Sequence, residues 1–222
     1  MRNLQHALLQ SPPPVQIPAP LGDPRFRALL GAADWANLPA PVRRRFSKRL
    51  AGGASVVYRG VVTGTRMNRL GYALAQLARL IGGPLPTSRD SGLPAVVTVT
   101  GDMETQGQHW TRLYVRQSGF PQVIHSSKRF AGPTGLEEYV GAGIGVALRI
   151  EVLPGALVFR SAGYFVQLFG KRLRLPAWLT PGALTVMHRE LGEGRFLFTL
   201  SVVHPRFGEL IAQSAVFEDA EL

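Results

Sequence analysis

Residues 144–153, Ile-Gly-Val-Ala-Leu-Arg-Ile-Glu-Val-Leu, put Ile144, Val146, Leu148, Ile150 and Val152 at every second position, with Gly145, Ala147, Arg149 and Glu151 between them. A period of two is the repeat of a strand with one buried and one wet face. The alternation returns at Phe196, Phe198, Leu200 and Val202. Working outward, strand-like runs occupy 54–63, 94–103, 108–117, 121–130, 135–141, 144–153, 156–169, 183–190, 195–204 and 208–217. Turn-forming residues separate them: Ser118-Gly119, Gly132-Pro133, Pro154-Gly155, Gly192-Glu193-Gly194 and the segment 205–208. Connections this short join antiparallel neighbours, since parallel ones need a crossover of about a dozen residues.

The expected fold is α+β, with N-terminal helices packed on a strongly curved antiparallel β-sheet or β-barrel of about nine strands. Residues 1–22 are expected to be a disordered leader, since SPPPVQIPAPLG (11–22) carries five prolines. One α+β domain follows over 23–222, with helices mostly in 23–82 and a β-meander mostly in 94–217. Asp23-Pro24 suits the start of a first helix that stops at Gly31. A second runs from Pro41, with Val42, Phe46 and Leu50 as its apolar stripe and Gly52-Gly53 as its end. For the third, Thr65 is the expected cap, and Met67, Leu70, Leu74, Leu77 and Ile81 recur at spacings of three and four before Gly82-Gly83-Pro84. This is the one segment placed to serve as a parallel crossover.

Composition narrows the function classes. With 45% hydrophobic and 18% charged residues the chain belongs with globular proteins rather than disordered ones. There is no cysteine, hence no disulfide framework, thiolate metal site or cysteine nucleophile. The apolar run in MRNLQHALLQ is too short for a signal-peptide core, and no stretch reaches the roughly 18 apolar residues of a membrane span. A cytoplasmic location is expected. The net charge of +11 is uneven: residues 1–93 carry a balance of +10 and the rest +1. Arg43, Arg44, Arg45, Lys48 and Arg49 concentrate it and could contact an anionic membrane; without a helix-turn-helix, zinc or RNA-binding signature, nucleic acid is not an expected partner.

Alternation in 108–117 puts Trp110, Arg112, Tyr114 and Arg116 on one face. Aromatic rings could hold an apolar ligand there while a guanidinium fixes a carboxylate or phosphate. The competing reading is structural, a buried pair of Arg112 with Glu137 or Glu138. His125 and Glu138 are the further ligand-binding candidates, but the histidines show no metal spacing, and each stands alone in a strand-like run. Gly141-Ala142-Gly143-Ile144-Gly145 is followed by a strand instead of a helix, so it reads as a glycine-rich bend and not a dinucleotide loop. No nucleophile elbow, P-loop or local carboxylate pair is present. No cofactor or metal is expected.

The segments LLGAADWANLPAPVRRRF (29–46), HWTRLY (109–114), GLEEYVG (135–141), LRLPAWLTP (173–181) and GRFLFTLSVVHPRFGEL (194–210) resemble an uncharacterised bacterial domain family, often fused to or encoded with saccharopine-dehydrogenase-like oxidoreductases. The resemblance spans nearly the whole chain after the leader. It brings no established activity, and it implies that a redox partner would be a separate oxidoreductase. The leading expectation is a binding module for a hydrophobic or amphipathic small molecule. Two others stand beside it: an isomerase or cyclase using Arg112 with Glu138 or His125, and an accessory domain docking to an oxidoreductase or anionic membrane through residues 41–79.

Overall fold

The computed structural model describes residues 21–50 and 54–219; residues 1–20 of the expected leader, and Gly52-Gly53, lie outside that description. Leu21–Gly22 (β1) belongs to the fold rather than to the leader, because it pairs with Lys48–Arg49 (β2). Between these two short strands lie Arg25–Leu30 (α1), Ala32–Asn37 (α2) and Ala40–Phe46 (α3). The Asp23 carboxylate accepts from the Arg25 backbone N–H at 3.0 Å, and Gly31 at a φ of 83° turns the chain out of α1. The second expected helix stops at Phe46 instead of reaching Leu50, since Lys48 and Arg49 are spent on the pairing with β1.

The remaining strands are Ser55–Met67 (β3), Pro94–Gly101 (β4), Gln108–Tyr114 (β5), Gln122–Arg129 (β6), Glu137–Gly141 (β7), Ile144–Leu153 (β8), Ala156–Leu168 (β9), Lys171–Arg174 (β10), Ala183–Gly192 (β11), Arg195–His204 (β12) and Gly208–Asp219 (β13). Ten of them close into an antiparallel barrel in the order β9-β11-β12-β13-β3-β4-β5-β6-β7-β8, with β8 pairing back onto β9. Closure leaves no unpaired edge within the ring. The 13 residues of β9 are shared on one side: Ala156–Arg160 pair with β11, and Phe165–Leu168 pair with β10, which stays outside the ring.

β3 runs to Met67, four residues past its expected end, because its pairing with β13 continues to Met67↔Ile211. The following helix, Arg69–Leu77 (α4), therefore starts later than expected. Its cap is Asn68, whose side chain accepts from the Gly71 N–H at 2.7 Å, and Thr65 lies inside the strand. A 3-10 turn, Ala78–Ile81, extends it. The expected stripe is buried only in part: Met67 is buried and Leu74 and Ile81 half-buried, but Leu70 and Leu77 face solvent, and Gly71, Ala75 and Ala78 are the buried residues of the helix and its 3-10 turn. Small residues win because the backbone comes close; a Cβ on Gly71 would sit 1.9 Å from the Leu210 carbonyl oxygen. The helix is not a parallel crossover, since β3 and β4 pair antiparallel. The expected glycine-rich bend is a tight β7–β8 turn, with Gly141, Ala142 and Gly143 all at positive φ.

The two ends of the barrel are closed differently. At one, Phe26 of α1 packs edge-on against Phe46, Phe130 and Phe159, centroids 4.9 to 6.3 Å away. At the other, α4, its 3-10 turn and the segment 175–181 lie over the opening.

Candidate ligand cavity

Strand β5 hydrogen-bonds to β4 and β6, so its alternation decides what enters the barrel. Arg112 and Tyr114 are buried, Trp110 is half-buried, and His109 points out. Together these inward residues wall two adjoining spaces. The larger, about 250 Å³, is lined by Tyr114, Glu138, Val146 and Leu200 and lies beneath Leu74, Ala78, Ile81 and Leu179. The smaller, about 40 Å³, lies between Trp110, Lys128, Phe196 and Phe217 at the α3 end. Arg112, Val186 and Phe198 are common to both walls. The larger volume is just under the usual range for ligand pockets, and its lining has the usual make-up, apolar with a few convergent polar groups.

Where the two spaces adjoin, a polar cluster is built from three adjacent strands. Lys128 on β6 stands directly opposite Glu138 on β7, and Ser126 is two residues along on the same face. Arg112 Nη1 donates to Ser126 Oγ at 3.0 Å, Ser126 Oγ donates to Glu138 Oε1 at 2.6 Å, and Arg112 Nη2 lies 3.3 Å from the same oxygen. Lys128 Nζ is 2.9 Å from Glu138 Oε2 and 4.6 Å from the Trp110 ring centre. Burial by itself would raise the Glu138 pKa; Lys128, Arg112 and the Ser126 hydroxyl outweigh it and hold the carboxyl at about 2. For Lys128 burial dominates, with Arg112 acting in the same direction and Glu138 against, so its pKa is lowered. The two partners differ because the carboxylate has two cations and the ammonium one anion. With all three groups ionised the cluster carries one net positive charge.

Glu138 is thus the partner that sequence reading offered to Arg112. Glu137 points the other way, beneath Arg172 of β10, where its second oxygen accepts from the Tyr139 hydroxyl at 3.1 Å. His125 is exposed on the outer face of β6, 3.1 Å from Thr111 Oγ1, and is not brought to Arg112 or Glu138. A carboxyl held at about 2 is a weak base, so the arrangement suits anion recognition better than proton transfer. Sequence reading missed Lys128. The period-2 set Ile124, Ser126 and Lys128 was the available signal, and it needed the β6–β7 register to give it meaning.

The basic row is split. Arg45 is buried, with Nη1 donating to Glu190 at 2.6 Å, Nη2 to Asp219 at 2.7 Å, and its guanidinium 4.4 Å over Phe196. It fastens α3 to β11 and β13 and leaves the surface row expected of it. Arg44 and Arg49 are exposed, Arg43 and Lys48 half-buried. Below Arg45, His188 stacks on Phe196 at 4.2 Å. Burial, then Arg45, outweigh Asp219 and bring His188 from 6.5 to about 3.

Among the described residues no group of three or more His, Cys, Asp or Glu side chains is arranged to hold a metal ion, and no helix is long and apolar enough to cross a membrane. A search of curated proteins returns no match. A protein-family model does match, over residues 38–217, which spans β2, every strand of the barrel and the Arg112–Lys128–Glu138 cluster. The chain belongs to the family described as Domain of unknown function (DUF4166).

Proposed function

We propose that this barrel is a binding module for an amphipathic small molecule, whose apolar body fills the larger cavity and whose anionic head sits against Arg112 and Lys128. The observation that carries the reading is two buried cations around one carboxylate where the two spaces adjoin, Arg112 and Glu138 in the wall of the larger and Lys128 in that of the smaller, both walls being otherwise mostly apolar. Uncompensated charge in a low-dielectric interior is costly, and a bound anion offsets that cost. Trp110 and Tyr114 supply ring faces on either side of Arg112. The test is to denature the purified protein and analyse the extract by mass spectrometry. An acidic amphiphile in stoichiometric amount is expected; an extract that contains none, from protein that also fails to displace a fluorescent fatty acid, contradicts the reading.

The absence of cysteine fits a cytoplasmic setting for this activity. The resemblance to bacterial domains that accompany saccharopine-dehydrogenase-like oxidoreductases suggests a separate enzyme of that kind as the protein that supplies or consumes the ligand.

A further inference from the structure

Half of the large apolar side chains that the described residues leave exposed fall in two short stretches, Leu70–Leu80 and Leu168–Leu179. Leu80 is 85% exposed, Trp178 78%, Leu77 65% and Phe169 99%. A monomer rarely leaves such side chains grouped without a use for them. Both stretches wall the mouth of the larger cavity: Ala78 and Ile81 line it from one side, Leu175 and Leu179 from the other. They meet along one rim. The Ile81 backbone lies against Gly141, Gly143 O accepts from Gln167 N at 2.8 Å, and Leu168 pairs with Lys171.

The charges on this rim have one sign. Arg69 and Arg79 flank the first stretch, Lys171, Arg172 and Arg174 the second, and no acidic residue occurs in 68–89 or in 152–189. Of the five, Arg172 alone has an acidic partner, Glu137. Bulky apolar tips within a cationic fringe are complementary to an anionic bilayer, whose headgroups meet the cations while leucine and tryptophan enter the acyl boundary.

We infer that the α4 end of the barrel docks on an anionic lipid bilayer, so that the cavity mouth opens onto the membrane. This places the contact at the end opposite α3, away from the expected anionic-surface residues Arg43, Arg44, Arg45, Lys48 and Arg49 but within reach of the α4 part of the expected docking stretch 41–79.

The test is co-flotation of the full chain with vesicles of equal parts phosphatidylcholine and phosphatidylglycerol, against pure phosphatidylcholine. Wild type is expected to float with the anionic vesicles, and to release as salt shortens the screening length to about 8 Å near physiological strength. The double variant Leu80→Asp/Trp178→Asp changes only exposed side chains, so it should fold, as a thermal melt verifies. It should bind at least about tenfold more weakly, since each buried apolar group is lost and each new charge is repelled. Arg43→Gln/Arg44→Gln, at the far end, should bind as wild type does. Equal flotation of the aspartate variant and wild type, loss confined to the Arg43/Arg44 variant, or a wild type that ignores both vesicles but forms a dimer abolished by the aspartates would each overturn the inference. Displacement of a fluorescent fatty acid should survive in the aspartate variant, which separates failure of docking from failure of the interior site.

Discussion

At the residue scale, Arg112 reconciles the two readings that its sequence allowed. It is half of a buried pair, 3.3 Å from Glu138, and it also lines the cavity. Removing one partner of a buried pair usually costs roughly 3–5 kcal/mol, because the other charge is stranded. Here Glu138 keeps Lys128 at 2.9 Å. Arg112→Met, which loses its hydrogen bonds to Ser126 and Glu138, is therefore expected to fold with a smaller loss, about 1.5–3 kcal/mol by chemical denaturation, the range for hydrogen bonds to charged groups. Its affinity for an acidic amphiphile should fall while that for the matching alcohol does not. His188 yields a pH prediction. Its pKa is 6.5 without the fold and about 3 within it, so below pH 6.5 the unfolded chain takes up a proton that the folded one refuses. Stability from this group is complete above 6.5 and is lost as pH falls toward 3, on the order of a few kcal/mol in all. Glu138, depressed to about 2, adds a loss only below about 4.5. Denaturation at pH 6.5 and 5 isolates the histidine: wild type should weaken over that interval and His188→Gln should not. An equal slope in both would show that His188 is not the titrating group.

At the scale of elements, the start of α4 shows where local signals ran out. Thr65 has the chemistry of a cap, but it also suits a strand, and the 12-residue β13 reaches far enough to pair it with Gln213. Asn68 took the role. Asn68→Ala should cost about 1 kcal/mol in a denaturant melt, as loss of a helix cap does. Gly71→Ala should cost more, about 1–3 kcal/mol, since the helix must lift from Leu210 to admit a methyl group; a neutral or stabilising result would contradict the close approach. Apolar residues at spacings of three and four correctly gave a helix but only part of its buried face, because burial at Gly71 and Ala75 is set by backbone proximity. Strands β8 and β12 kept their expected bounds, their alternation being long and uninterrupted. Several short elements were not legible, β1 and β2 among them. Ala32–Asn37 buries no residue and so leaves no apolar pattern, and Lys171–Arg174 is a four-residue outer strand exposed along its length.

For the whole molecule, a curved antiparallel sheet followed from short turns and period-2 runs, but its closure did not. Closure depends on β13 meeting β3, as in Met67↔Ile211, and on β9 meeting β11 across the intervening β10, long-range pairings with no local signature, whereas β8–β9 is a hairpin. The cluster was half legible for the same reason: Arg112 and Glu138 stood in segments that drew notice, while Lys128 acquires its role only when β6 lies beside β7. What emerges is a barrel with unlike ends. Phenylalanines and the Arg45 ion pairs seal one, and small residues of α4 leave room beneath the other. With Arg112 and Lys128 set against the single carboxylate of Glu138, this interior is suited to select an anionic amphiphile. The most direct measurement is calorimetric titration of ligand-stripped wild type and Lys128→Met with decanoate and with decanol. Wild type is expected to prefer the carboxylate by at least about tenfold, or roughly 1.4 kcal/mol, and Lys128→Met, still folded, to lose most of that preference. Equal affinity of wild type for acid and alcohol, or an undiminished preference in the variant, would contradict it.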